Sequence, residues 1–274
     1  MLDPLQFAYR TGKGVEDAKL FILNELYKHL EKPGAHARVL FADFSSAFNT
    51  IQPHILANKL ISNFRLDNQL ILWVIEFLTN RSQRVLVNGR LSDSLQTSTG
   101  SPQGCVLSPL LYILYTDDCR SNHEGRHIVK FADDSALVSL LIGPDQQNGP
   151  VLDEFVNLCD NSYLNLNVDK TKEIVFDFRR QKQKPVESII HKQEVEIVHN
   201  YTYLGSIFDH KLTWDANTEA ILKKGKQRLY FLRKLESFSV NETILSLFYK
   251  SFIESVITFS FILCLRFLCV YLCV

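Results

Sequence analysis

Three aspartates stand where apolar runs stop. Asp43 closes the stretch Ala37–Asp43 (ARVLFAD), and Asp133 and Asp134 lie between the apolar runs Ile128–Ala132 and Ala136–Leu141. An aspartate that follows a buried strand is held rigidly at the sheet edge. A hairpin packed beside that strand would bring Asp133 close to Asp43, and two carboxylates that near repel unless a cation lies between them. Mg²⁺ suits such a pair: it takes octahedral oxygen ligands at about 2.0–2.1 Å, usually one or two carboxylates plus substrate phosphates. Two such ions about 3.5–4 Å apart stabilise the attacking and leaving oxygens of a phosphoryl displacement. The blander reading is that these are turn acids, because Asp is common in hairpins. A second pair, Asp117–Asp118, serves as a control. It ends a helix, where the macrodipole disfavours negative charge, and it reads as solvated.

A glycine loop adds to the acids. Gly100–Gly104 reads GSPQG just before Ser108–Pro109. Two glycines allow close backbone approach to a ligand, Pro102 stiffens the loop, and Gln103 offers a donor and an acceptor. Taken alone, this is an ordinary turn. Ser108 as N-cap and Pro109 as first helical residue predict a helix there.

The elements that must position these residues are mixed. Helices are predicted over Ala18–Leu30, Pro53–Phe64, Asp67–Leu78, Val151–Tyr163, Ala216–Leu235 and Glu242–Val256. Strands are predicted over Ala37–Asp43, Glu173–Phe178, Val186–Ile190, Glu194–Val198 and Tyr201–Phe208. Asn88–Gly89 splits Arg84–Asn88 from Leu91–Ser98 as a hairpin. Hairpins instead of repeating βαβ units indicate an α+β fold, an antiparallel sheet backed by helices.

With 274 residues, 46% apolar and 22% charged, the chain has a globular composition in which long disorder is not expected. Thirty basic and thirty acidic residues cancel, which removes bulk charge as an argument for nucleic acid. The distribution is uneven: residues 1–178 carry 16 basic and 21 acidic side chains, residues 179–250 carry 13 and 8. The six cysteines show no CxxC and no metal spacing, so a reduced intracellular protein, nuclear or cytoplasmic and not secreted, is expected. The N-terminus MLDPLQFAYR lacks the pattern of a signal peptide. Ser255–Val274 is nearly all apolar, but Arg266 lies within it, so a buried helix running into unrelated sequence is preferred to a membrane anchor.

The order of motifs narrows the reading. The chain runs LFADFSSAFNTI, GSPQGCVLSPLLYILYTDD, VKFADDSALV, LNLNVDKTKEIVFDFRR and YTYLGSIFD. This resembles the reverse transcriptase of non-LTR (LINE-type) retrotransposons over residues 3–260. The resemblance implies a right-hand polymerase: partial fingers in residues 1–36, a palm with remaining finger elements in 37–215, a helical thumb in 216–258, and an apolar tail of non-family sequence in 259–274. It implies that Asp43, Asp133 and Asp134 are catalytic and hold two Mg²⁺ ions, with Mn²⁺ as substitute. Phe48 falls where an aromatic ring blocks a ribose 2′-OH, and Gly100, Pro102, Gln103 and Gly104 would cradle template and incoming nucleotide. Lys172 would stand near the pyrophosphate as general acid, with Lys170 a neighbouring candidate; a surface lysine weighs as much. Tyr203, Leu204 and Gly205 resemble a primer-grip turn, and a plain hairpin fits nearly as well.

Lys223, Lys224, Lys226 and Arg228, with Arg233 and Lys234, would face duplex phosphates from a helix packed through Ile221, Leu222, Leu229 and Leu232. Arg10 is a candidate template contact. The implied partners are an RNA template, a DNA primer and a dNTP; no protein partner is inferable. Finger residues that would hold the triphosphate have no visible substitute, so a non-catalytic nucleic-acid-binding remnant is the alternative to an RNA-directed DNA polymerase.

Overall fold

The computed structural model of the chain describes residues 2–143, 149–180 and 184–259. Two compact units divide between Ile197 and Val198. The first contains α1 (Val15–Leu30), β1 (Ala35–Ala42), a 3₁₀ turn (Ala47–Asn49), α2 (Pro53–Ser62) and α3 (Asn68–Leu78). The short strands β2 (Arg81–Gln83), β3 (Leu86–Val87), β4 (Arg90–Leu91) and β5 (Leu95–Thr97) follow, then α4 (Leu107–Tyr115), β6 (Arg126–Phe131) and β7 (Asp134–Ile142). The unit ends with α5 (Gly149–Asn161), β8 (Lys172–Phe176), β9 (Ile189–Ile190), β10 (Gln193–Glu194) and β11 (Glu196–Ile197).

A five-stranded sheet of order β11-β8-β1-β7-β6 organises this unit, with β1 antiparallel to both neighbours and β11 parallel to β8. All eight residues of β1 are buried, as its apolar run demands. Arg38 interrupts that run, and its guanidinium meets the Glu173 carboxylate with Nε–Oε1 2.9 Å and Nη2–Oε2 2.5 Å. Such a sealed pair is tolerable because two parallel hydrogen bonds replace the lost water. Helix α1, with Ile22 and Leu26 fully buried, packs across β1, β6 and β7. Leu40, Ile128 and Leu137 of the sheet join a core with Leu56, Ile71, Leu111, Tyr115 and Phe155 of the other helices.

Local signals explain several boundaries. Asp67 caps α3 by accepting from Gln69 N–H at 2.8 Å. Asn88 (φ 49°) and Gly89 (φ 76°) form the tight hairpin turn of β3 and β4. Helix α4 begins at Leu107, one residue before the expected cap. There Cys105 Sγ accepts from Ser108 N–H at 3.3 Å, taking the capping role assigned to Ser108.

The second unit pairs β12 (Asn200–Tyr203) with β13 (Ser206–Asp209), then runs through α6 (Asp215–Ser237), α7 (Glu242–Phe248) and a π-helical stretch, Tyr249–Glu254. The helix expected over Glu242–Val256 therefore changes pitch after Phe248. The predicted stripe of α6 is also corrected. Leu222 and Leu229 are exposed at 56% and 38%, while Asn217, Ile221, Gly225, Arg228, Leu232 and Leu235 carry the protected face. Apolarity alone selected Leu222 and Leu229, whereas Ile221 and Leu232 of the expected stripe do lie on the protected face, joined by an arginine. Arg228 Nη1 donates to the Phe252 carbonyl. Among the described residues no helix is long and apolar enough to cross a membrane. The apolar tail beyond Phe259 lies outside the described residues.

Candidate active site

Strand register brings two of the three acids face to face. Ala42 pairs with Ser135 and Phe41 with Ala136, so one further step sets Asp43 opposite Asp134. Phe131 pairs with Asp134, which leaves Ala132 and Asp133 as the hairpin turn, with Ala132 at φ 58°. Asp134 thus opens β7, where the sequence reading placed both acids between the strands. Asp43 is pinned through its backbone: its N–H donates to Thr171 Oγ1 at 3.3 Å and its carbonyl accepts from Asn167 N–H at 2.8 Å. Asp133 and Asp134 are exposed and Asp43 is half-buried, so the acids face solvent and are not sealed in the core.

Electrostatics record their proximity. The Asp134 carboxyl is raised from its ordinary value, first by partial loss of water around it and then by the charges of Asp133 and Asp43. Among the described residues neither Asp133 nor Asp134 has a side-chain hydrogen bond or ion pair. Lys170 Nζ lies 4.0 Å from Asp43 Oδ2. The donors are carboxylate oxygens, the class that Mg²⁺ and Mn²⁺ prefer. Among the described residues no three such side chains close around one point. An ion here would therefore take one or two carboxylates and complete its shell from water and phosphate.

The glycine loop docks beside this edge. Gly100 N–H donates to the Ile51 carbonyl at 2.7 Å, and Ser101 N–H to the Phe48 carbonyl at 2.9 Å. Gly100 adopts φ 70°, and a Cβ there would sit 2.7 Å from Asn49 Cα. The close approach that needs a glycine here is to the chain's own backbone. Gly104, at φ 82°, has nothing within 4 Å of its Cβ position. It and Gln103 are exposed, while Pro102 is half-buried. Arg81 holds the loop by donating to the Thr99 and Gly100 carbonyls at 2.6 and 2.9 Å.

Phe48 stands on the 3₁₀ turn with its ring 5.0 Å from that of Tyr112. Tyr112 is buried at 1% exposure. Burial first, then the charge of Asp133, pushes its hydroxyl well above the ordinary range, and Asp134 adds to this. Tyr112 therefore touches Phe48 and feels the charge of the acids. Nothing in LSPLLYILY marks it among the other large residues of α4, and sequence reading passed over it.

Several expected contacts are engaged elsewhere. Lys172 Nζ donates to Glu196 Oε2 at 2.7 Å and to the Asp169 carbonyl at 2.6 Å, because parallel β11 brings Glu196 alongside β8. Lys170, 70% exposed at its side chain, is the lysine that reaches Asp43. Arg10 Nη1 donates to the Asp3 and Gln6 carbonyls at 2.8 and 3.2 Å and staples its own loop. The control pair is split: Asp117 is 5% exposed, which corrects the solvated reading for it, while Asp118 is exposed and bonded to Lys59. In the second unit, Leu204 (φ 45°) and Gly205 (φ 77°) form a tight turn after buried Tyr203. Lys223, Lys224 and Lys226 are exposed, whereas Arg228 is engaged by the Phe252 carbonyl.

Comparison with known proteins agrees with this geometry. A family model described as reverse transcriptase (RNA-dependent DNA polymerase) matches residues 1–208. A second model, the N-terminal part of alkylated DNA repair protein alkB homolog 8, matches residues 214–255. The RNA-directed DNA polymerase from mobile element jockey of Drosophila melanogaster is 26% identical over 219 residues, covering 76% of this chain and 23% of that protein. Its Drosophila funebris counterpart is 25% identical over 234 residues, covering 82% and 25%. The chain thus spans about a quarter of the length of these relatives. Among solved structures, Candida tropicalis telomerase in complex with a fragment of telomeric RNA superposes with a TM-score of 0.52 at 14% identity, over 90% of this chain and 42% of that one. That likeness shows the fold, a polymerase palm. The chain belongs to the reverse transcriptase (RNA-dependent DNA polymerase) family.

Proposed function

We propose that this chain is an RNA-directed DNA polymerase domain that joins a dNTP to a primer 3′-OH on an RNA template. The observation that carries the reading is the register of β1 and β7, which sets Asp43 opposite Asp134, beside Asp133, on a solvent-facing edge. In the reaction the 3′-oxygen attacks the α-phosphorus, the bond to the bridging oxygen breaks, and pyrophosphate leaves. Divalent cations held by Asp43, Asp133 and Asp134 would lower the pKa of the attacking hydroxyl and neutralise the leaving group.

The chain's own residues then position and select. Phe48, braced by Tyr112, would press on C2′ of the incoming sugar, where hydrogen fits and hydroxyl does not. Gln103 and Gly104 would meet the nucleotide with an amide and an open backbone. Lys170, not Lys172, is the lysine free to approach a developing pyrophosphate charge from the Asp43 side, acting as charge partner or proton donor. In the second unit, Tyr203, Leu204 and Gly205 would grip the primer. The exposed Lys223, Lys224 and Lys226 would contact phosphates, so hybrid binding should weaken steeply with salt.

A nucleic-acid-binding remnant without catalysis is the second reading. Arg10 and Arg81 favour it, since both guanidiniums are bonded to backbone carbonyls, and among the described residues Lys170 is the cation paired with one of the acids. One experiment decides: extension of a DNA primer on an RNA template with Mg²⁺ or Mn²⁺, comparing the chain with Asp133→Asn. Extension lost in the variant supports the polymerase. Salt-sensitive hybrid binding with no extension under either ion supports the remnant.

A further inference from the structure

The molecule carries a second cluster of ligating side chains, far in sequence from the acids. The β12–β13 ladder pairs Asn200 with Asp209, so its next step sets His199 opposite His210. His210 N–H donates to the His199 carbonyl at 2.8 Å, which fixes that step. The two rings lie 4.7 Å apart at 42°. His199 is exposed and His210 half-buried. His210 Nδ1 lies 3.2 Å from the His199 carbonyl oxygen. In the tautomer that donates this bond, the lone pair is on Nε2, and the bond holds the ring in place. Metal-ligating histidines are commonly oriented in this way.

The other histidines are placed differently. His29 and His36 are buried, while His123, His127 and His191 face Glu154, Glu25 and Asp160. His54 has no neighbouring imidazole among the described ring contacts.

We propose that His199 and His210 form a two-histidine site for a borderline transition-metal cation of the Zn²⁺ or Ni²⁺ class. Neutral imidazole suits these ions, whereas Mg²⁺ requires oxygen. Two nitrogens, each about 2.0–2.1 Å from Zn²⁺ in a tetrahedral shell, stand on the order of 3.3 Å apart. A modest rotation of the exposed His199 ring, whose centre is already 4.7 Å from that of the held His210 ring, supplies that spacing. Water fills the remaining positions. The ion would staple the open end of the hairpin whose turn is Leu204–Gly205. The site is independent of the polymerase reading.

The test uses the full chain with Cys264, Cys269 and Cys273 replaced by serine in every arm, because thiolates compete for the same ions. Zn²⁺ is titrated by calorimetry into this protein and into His199→Ala, His210→Ala and His54→Ala versions. The expected result is one site whose affinity falls about tenfold or more with either of the first two changes and is unchanged by the third. Mg²⁺ should give no heat at this site. Substoichiometric Ni²⁺ should broaden the amide signals of residues 199–210 first, a measurement that needs no histidine variant. Binding unaltered by His199→Ala and His210→Ala, or first broadening elsewhere, overturns the proposal.

Discussion

The chain contains the same dipeptide twice, sixteen residues apart, and the fold treats the two copies in opposite ways. Asp117 is buried, accepting from Asp3 N–H at 2.7 Å and from Arg120 Nη2 at 2.6 Å. Beside it, the Asp3 carboxylate meets Lys130 Nζ at 2.7 Å, and Lys130 also donates to the Thr116 and Cys119 carbonyls. Asp118 bonds to Lys59, which in turn donates to the Tyr115 carbonyl and Ser162 Oγ. The first pair is thus neutralised by the chain itself and acts as mortar between the N-terminal segment, α2, α4 and β6. Asp133 and Asp134 have no such partners among the described residues and face solvent beside Asp43. Uncompensated like charges raise the free energy of the folded state. The fold thus gives each acid of one pair a partner and leaves its twin without one among the described residues, and the proposed cation site rests on that contrast.

The largest effect expected of this contrast is on catalysis. Asp133→Asn should lower primer extension at least about a thousandfold, since the carboxylate is assigned to metal ions that stabilise transition-state charge. Its Tm should stay within about 2 °C of the parent, as exposed sites usually change stability by under about 0.5 kcal/mol. Asp117→Asn should do the reverse to stability. Removing one partner of a buried charge network costs about 3–5 kcal/mol, which lowers Tm on the order of 10 °C for a chain of this size. If Asp117→Asn melts with the parent, or Asp133→Asn is as destabilised as Asp117→Asn, the contrast fails.

The glycines of GSPQG form a smaller version of the same contrast. Gly100→Ala adds a methyl at 2.7 Å from Asn49 Cα and holds it at positive φ, so overpacking and backbone strain together should cost about 2–4 kcal/mol. Gly104→Ala meets open space at φ 82° and should cost about 1 kcal/mol from the backbone alone. Urea denaturation of the two variants measures the difference; equal midpoints would show that the loop is not wedged against Asn49.

What the sequence revealed follows from how local each cause is. Asn88–Gly89 announced a hairpin because two left-handed residues are needed and those two accept them. Asp67 announced a helix start for the same reason, its bond reaching only two residues along. The apolar runs ending at Asp43 and before Asp133 disclosed the sheet edge, because burial on both faces leaves little room for polar residues. Long-range partners were hidden. Asp117 is buried by contacts from Asp3, 114 residues away. The choice between Lys170 and Lys172 depends on Glu196, whose strand is expected but whose parallel pairing with β8 no local pattern announces. The packing face of α6 is read correctly at Ile221 and Leu232 and wrongly at Leu222 and Leu229, because Arg228 does not look like a packed residue until its bond to the Phe252 carbonyl is in place.

The smallest predicted effect tests the electrostatic half of the comparison. Asp134 has a folded-state pKa above its ordinary 3.8, so the folded protein keeps that proton at pH values where the unfolded chain has lost it. Stability from this group therefore falls as pH rises from about 3.8 through the raised folded value, and the full penalty is present at neutral pH. Asp134→Asn removes the penalty. The variant should be more stable than the parent at pH 7, by less than about 1 kcal/mol because solvent screens an exposed carboxylate, and the gap should close below pH 3.8. Thermal melts of both proteins across pH 3–8 read the sign directly. An Asp134→Asn variant that is less stable than the parent at pH 7 would mean that the carboxylate already has a favourable partner in the fold. The acids of β1 and β7 would then differ from Asp117 in degree and not in kind.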